Sequence, residues 1–274
     1  MNRRTGSIVV LHAGLIALAL LTAAPLLWMV SASFMAPGES STYPPPLLPH
    51  HWTLEHYVVL FTRLNLGRAF FNSAFIAVTT TAASVVINAM AGYAFAKLRF
   101  RGRDRVFQLL LTALVVPTQV GMLPLFLELK ALGLVNTPIG VMIPYLSSVF
   151  GIFLVRQYAL AIPTDLLDAA RLDGASEYEI FWRVVLPVIR PILVTLAAFS
   201  FLSAWNDFLW PLVVLSDQSR FTMPVALASL AGEHMLDTEL MMAGAVLAVL
   251  PVIGVFLALQ RFYTQGVMSG SVKG

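Results

Sequence analysis

The chain has 274 residues, of which 58% are hydrophobic and only 11% charged, with 17 Lys+Arg against 14 Asp+Glu. A mean hydropathy of +0.82 means more apolar surface than a globule of this length buries, so lipid must cover the remainder. The absence of cysteine excludes disulfides, thiolate metal sites and cysteine nucleophiles.

Six apolar stretches, at 8–34, 70–96, 106–127, 139–155, 192–215 and 240–259, are candidates for crossing a bilayer, which takes ~20 helical residues. The expected fold is an all-α membrane protein with six transmembrane helices in a single domain covering 1–274. With the N-terminus inside, thirteen of the 17 Lys and Arg lie on the cytoplasmic side and four, Arg63, Arg68, Lys130 and Arg220, lie outside. That bias predicts that both termini are cytoplasmic. The cations mark topology, and no basic stripe interleaved with stacking aromatics stands apart from the membrane flanks, which argues against a nucleic-acid partner.

At the N-terminus, Arg3-Arg4 and the apolar run after it could be a signal peptide cut after Thr22-Ala23-Ala24. Pro25 would follow the cut, however, and the run continues through Val30, so we read an uncleaved first span. The external loop 35–69 opens with Pro37-Gly38 and holds Pro44-Pro45-Pro46, which favours extended backbone. A short amphipathic helix is predicted from Leu54 to Leu64. His50, His51 and His56 have no convincingly spaced carboxylate or thiolate and read as solvated loop residues rather than metal ligands.

The second span carries Ser73, Ala77, Thr81, Ser84, Asn88 and Gly92 at steps of three and four, a stripe that lets neighbouring helix backbones approach. Asn88 is a candidate for the substrate path, with packing as the competing reading. Pro117, Pro124, Pro138 and Pro144 predict bent third and fourth spans.

A polar island occupies 162–187. Pro163 suits the first turn of a helix, Gly174 reads as a left-handed stop, and Ser176 with Glu179 forms a capping box for a second helix that ends before Pro187. The first helix sets Leu166, Ala169, Ala170 and Leu172 against Asp165, Asp168, Arg171 and Asp173, as a helix lying in a groove would. In the second, Tyr178, Phe181, Trp182 and Val185 form an apolar face. Pro191 then opens the fifth span, which includes Trp205-Asn206-Asp207-Phe208-Leu209-Trp210-Pro211. Along a continuous helix Asp207 lies roughly 24 Å from Pro191; with Asn206 it is a candidate for the substrate path, against the alternative of a solvated carboxylate in an aromatic interfacial belt. A polar, glycine-rich tail from 259 to 274 is predicted to be cytoplasmic.

The pattern Asp168-Ala169-Ala170, three residues, Gly174, nine residues, Val184-Val185-Leu186-Pro187 resembles the EAA loop of ABC importer permeases, with Asp168 where the family has Glu and Val184 where it has Ile. The stretch Ala91–Gly102, the Trp205–Pro211 motif and the tail resemble the carbohydrate branch, of the maltose and glycerol-phosphate permease type. The resemblance implies a permease subunit importing a sugar or related polyol across a bacterial plasma (inner) membrane. It further implies a second permease chain in a heterodimer, two cytoplasmic ATPase subunits and an external solute-binding protein. ATP and Mg would be held by the ATPase, with no cofactor or metal on this chain. The docking residues it implies are Asp168, Ala169, Ala170, Arg171, Gly174, Ser176, Glu177, Leu186 and Pro187.

No G-x-x-x-x-G-K-[ST] phosphate loop occurs, so the chain is not itself the ATPase, and neither H-E-x-x-H nor G-x-S-x-G is present. Two alternatives remain: an ABC importer permease for a peptide, amino acid or phosphonate, and a secondary transporter or channel acting alone. The scarcity of ionisable groups inside the predicted spans speaks against the latter.

Overall fold

A computed structural model describes residues 3–233 and 237–271, and among these every regular element is helical. In chain order they are α1 (Arg3–Ala32), α2 (Glu55–Thr62), α3 (Leu66–Lys97), α4 (Arg103–Thr112), α5 (Met122–Ala131), α6 (Pro138–Met142), α7 (Val149–Leu160), α8 (Thr164–Leu172), α9 (Glu177–Ile180), α10 (Leu186–Val188), α11 (Arg190–Asn206), α12 (Leu209–Val214), α13 (Met223–Glu233) and α14 (Thr238–Ser271). Short 3-10 turns and one π turn, Phe181–Val185, join them.

Three segments, Val10–Ala32, Leu66–Lys97 and Thr238–Gln260, are single helices long and apolar enough to cross a membrane, and three bent pairs bring the number of candidate spans to as many as six. The proline-rich third and fourth stretches are bent as predicted, by 99° between Val115 and Thr118 and by 43° between Tyr145 and Val149. Pro117 lies in the first break and Pro144 in the turn before the second. Each removes an N–H from the helical ladder and pushes its ring toward the carbonyl four residues back.

The fifth stretch departs from the expected continuous helix over 192–215. Helix α11 stops at Asn206 and Asp207 is extended, with φ −70° and ψ 128°. Pro211 accounts for this, because in an unbroken helix its ring would collide with the Asp207 carbonyl.

The chain divides into two compact units, one of 1–67 with 226–251 and the other of 68–225 with 252–274. In the first unit α1 leaves Leu11, Leu20, Leu21 and Leu27 exposed along its length, as a lipid-facing helix would. Its loop contains the predicted short helix as α2. The expectation of solvated histidines holds for His50 and His51, which are exposed, and needs correction at His56. His56 is 3% exposed, with Nε2 2.9 Å from the carbonyl oxygen of Met35, which lies just past the end of α1. The His50 ring meets Glu39 at 2.7 Å, and the Glu39 carboxyl, which also accepts the His50 and Ala36 backbone N–H groups, is held below the usual carboxylate value. The α14 residue Glu239 is fully buried and accepts the Ser40 N–H at 2.7 Å.

In the second unit the small-residue stripe of α3 faces inward: Ser73, Ala77, Ser84, Asn88 and Gly92 are all buried. Gly92 lies so close to α7 that a Cβ there would sit 2.6 Å from Val155 Cβ and 3.0 Å from the Arg156 backbone nitrogen. Neither atom can swing away. Gly92→Val is therefore expected to overpack the helix pair and cost about 1–3 kcal/mol, read as a lower thermal unfolding midpoint in detergent, whereas substitution of Val78, 58% exposed, should leave the midpoint unchanged.

Candidate functional site

The polar island folds as two short helices whose ends follow from the residues at them. Pro163 precedes α8 as its N-cap, one residue outside the first turn where it was expected. At the other end Gly174 has φ +84°, Gly174 N–H donates to the Arg171 carbonyl at 3.0 Å, and Ala175 N–H reaches back to the Ala170 carbonyl at 3.0 Å. These two bonds are the pair that closes a helix through a left-handed residue. Ser176 then caps α9: its hydroxyl accepts the Glu179 N–H at 3.3 Å while the Glu179 carboxylate accepts the Ser176 N–H at 3.0 Å. The Glu179 carboxyl is held below its ordinary value chiefly by that backbone bond.

Helix α8 is amphipathic as expected, but the buried anchor is Leu167, 1% exposed, and not a member of the Leu166, Ala169, Ala170, Leu172 set. Leu166 and Leu172 are 44% and 90% exposed, Ala169 is also exposed, and Ala170 is half-buried. Leu167 enters a core with Ala89 and Tyr93 of α3, Val155 and Ala159 of α7, and Leu193 and Leu196 of α11. Leu167 is thus the point at which α8 itself joins the core shared with α3, α7 and α11, while the helix's other apolar face is uncovered.

The second helix differs from expectation in two respects. It does not end before Pro187 but runs from Glu177 to Val188, then turns by 83° into α11 at Ile189. The π turn Phe181–Val185 lies just ahead of Pro187; its wider i→i+5 pitch replaces the ladder that proline would interrupt. The same turn rotates the apolar face, so that Ile180, Phe181, Val185 and Ile189 are buried while Tyr178 stays 67% exposed. Pro191 sits in the first turn of α11, as its sequence position predicted.

An ionic chain crosses the junction of the two helices. Arg171 donates through Nη1 to Asp168 at 2.6 Å and through Nε to Glu177 at 2.7 Å, and Tyr93 of α3 donates its hydroxyl to the second Glu177 oxygen at 2.9 Å. Arg171 is the main cause holding the Glu177 carboxyl below its ordinary value of 4.5, with the Tyr93 bond acting in the same direction against partial burial. Because the folded value is depressed, the stabilisation is present above about pH 4.5 and is lost as pH falls through the folded value. Glu177 is 46% exposed, so the pair contributes at most about 1 kcal/mol. Glu177→Gln should lower the unfolding midpoint slightly at pH 7, and the difference from wild type should vanish in acid.

Of the expected docking residues, Asp168, Ala169, Gly174, Ser176 and Glu177 are exposed on the island, Ala170 and Arg171 are half-buried, and Leu186 and Pro187 form the corner leading to α11. Tyr93 and Leu167 were missed. Tyr93 stands next to Gly92 in the small-residue stripe, a place where an aromatic hydroxyl needs a polar partner.

The three polar-path candidates share no partner. Asn88 is fully buried and wholly engaged: its Nδ2 donates to the Ser84 carbonyl at 2.7 Å and hydroxyl at 2.8 Å, and its Oδ1 accepts the Ser148 N–H at 3.0 Å at the start of α7. Here Asn88 pins α3 to α7. Asn206 is exposed and donates to the Leu202 carbonyl of its own helix at 2.9 Å. Asp207 accepts a hydrogen bond from Tyr145, which ties the break after α11 to the turn before α7. Tyr145 lies 62 residues away in sequence, beyond any local pattern.

Residues 88–269 match the family described as "Binding-protein-dependent transport system inner membrane component". The chain is 37% identical over 279 residues to the arabinooligosaccharides transport system permease protein AraQ of Halalkalibacterium halodurans, covering 100% of both chains. It is 39% identical over 213 residues to the lactose transport system permease protein LacG of Rhizobium radiobacter, covering 78% of each. A chain in the crystal structure of a bacterial ABC transporter involved in the import of the acidic polysaccharide alginate superposes with a TM-score of 0.83 at 25% identity, over 96% of this chain and 99% of that one. With a family match across most of its length and a relative aligned from end to end, the chain belongs to the inner membrane components of binding-protein-dependent transport systems.

Proposed function

We propose that this chain is one permease half of an ABC importer that takes up a sugar, an oligosaccharide or a related polyol. It would span the inner membrane six times with both termini cytoplasmic, pair with a second, different permease chain, receive substrate from an external solute-binding protein, and be driven by two cytoplasmic ATPase subunits that hold the ATP and Mg. The relatives named for arabinooligosaccharides and lactose, and the alginate importer, favour a saccharide over a peptide, amino acid or phosphonate.

The observation that carries the reading is the construction of the island. Its apolar face of Leu166, Ala169 and Leu172 is uncovered, while Leu167 and the Tyr93–Glu177–Arg171–Asp168 chain hold the same helix to α3, α7 and α11. A helix gripped on one side and bare on the other is a lever. The ATPase takes the bare side, and closure of its dimer on ATP moves α8. Because α8 is packed into the roots of three spans, the spans follow, and the cavity passes from inward-facing to outward-facing. The ATPase shifts the equilibrium only through its different grip on the two states.

The test is co-purification of this chain with its ATPase in a lipid nanodisc, with turnover measured as candidate binding proteins and ligands are added. Stimulation by a saccharide-loaded binding protein is the expected result. Stimulation by a peptide- or phosphonate-loaded protein instead would move the substrate class, and transport with no ATPase bound would remove the reading.

A further inference from the structure

The turn between α3 and α4, residues 98–102, joins two candidate membrane spans, so it lies at a membrane surface whichever side that is. Within Lys97–Arg105 there are five cations, Lys97, Arg99, Arg101, Arg103 and Arg105, against the single carboxylate of Asp104. Two of the five are committed to protein oxygens. Lys97 donates to the Leu160 and Ile162 carbonyls at 3.1 and 2.6 Å, and Arg103 to Asp104 at 3.1 Å and the Leu98 carbonyl at 3.3 Å. The other three arginines are exposed and have no ion pair among the described residues. Residues 99–105 enclose an open hollow of about 760 Å³. Phe100 lines it too, and Val106 and Leu109 follow on α4; the three are 45%, 45% and 70% exposed.

A signal for topology alone needs only positive charge near the membrane. Three unpaired guanidiniums around one hollow, bordered by bare apolar side chains, go beyond that need. We propose that this turn is a binding site for the phosphate headgroup of an anionic phospholipid, whose acyl chains lie over Phe100, Val106 and Leu109. Guanidinium matches phosphate through paired N–H donors, and basic pockets at the ends of membrane helices hold anionic headgroups in this way. Aromatic and aliphatic side chains next to the cations suit the boundary between headgroup and hydrocarbon. The cation count and the apolar border together favour a lipid over free phosphate, which would gain nothing from Phe100 or Leu109. The inference rests on the membrane reading above but not on the identity of the transported solute.

The whole importer complex is reconstituted in nanodiscs of equimolar phosphatidylglycerol and phosphatidylcholine, extracted gently, and analysed by native mass spectrometry for retained lipid. Wild type should retain phosphatidylglycerol over phosphatidylcholine by at least about fivefold. The Arg99→Gln/Arg101→Gln/Arg105→Gln variant should lose most of that preference. Arg63→Gln/Arg68→Gln, which removes two exposed cations elsewhere, should keep it. An unchanged preference in the triple variant overturns the proposal. So does a triple variant that keeps its lipid preference but loses the ATPase subunits, which would make the turn a protein-docking surface. Replacing phosphatidylglycerol in the disc by inorganic phosphate in the buffer should not restore any activity lost in phosphatidylcholine alone; full restoration would assign the site to free phosphate. Retention of the ATPase throughout reports separately on the permease reading.

Discussion

Leu167→Ala is expected to abolish uptake while leaving the ATPase bound. Leu167 is the one α8 side chain sunk among the roots of α3, α7 and α11, and it does not belong to the exposed face of Leu166, Ala169 and Leu172. Truncating a fully buried leucine costs about 2–5 kcal/mol, partly through the cavity left behind. That loss falls on the attachment of the lever to the spans, not on the surface offered to the partner. The complex should therefore purify with its full complement of ATPase, hydrolyse ATP at the basal rate, and no longer respond to loaded binding protein. Leu166→Ala gives the opposite signature, because Leu166 is 44% exposed on the uncovered face: its effect should appear first as weaker ATPase retention. If both variants lost the ATPase to the same degree, the division between a gripped and a docking face would be wrong.

Gly174→Val should uncouple hydrolysis from transport for a different reason. At φ +84° Gly174 holds a left-handed conformation that costs an L-residue roughly 1–2 kcal/mol, and a β-branched one more. The space around it is open, so the cost is conformational and not steric crowding by neighbours. Valine can relieve it only by opening the Ala175–Ala170 and Gly174–Arg171 bonds, which fix the angle between α8 and α9. Each 1.4 kcal/mol of bias is about tenfold in an equilibrium, so uptake should fall about tenfold or more with basal hydrolysis retained. Gly174→Asn, which tolerates the left-handed region, should recover much of the loss. Normal uptake by the valine variant would mean that the angle between the two helices transmits nothing.

What the sequence revealed, and what it withheld, follows the range of the interactions. The stop at Gly174, the Ser176–Glu179 box and the helix start at Pro191 are local devices, written in residues within four positions of each other, and all three are present. The buried stripe of α3 was legible because its period is that of the helix. By contrast, the choice of Leu167 over its neighbour Leu166 as anchor depends on where three distant helices converge. The π turn at Phe181–Val185 moved the apolar face of α9 and carried the helix through Pro187; no residue pattern announces such a turn. The break at Asp207 was not expected, although Pro211 four residues on accounts for it, and the Tyr145 partner lies in the turn before α7. His56 looked solvated because the carbonyl it meets, that of Met35, lies 21 residues back in the chain.

The central claim is tested most directly by a single thiol. The chain contains no cysteine, so Ala169→Cys places one reactive group on the exposed face of α8 without further mutation. In the assembled complex a short bifunctional thiol reagent should join it to a cysteine on the ATPase surface, and in intact cells a membrane-permeant maleimide should block it while an impermeant one applied outside does not. Labelling from outside, or failure to cross-link to any nucleotide-hydrolysing subunit when transport is active, would contradict the account.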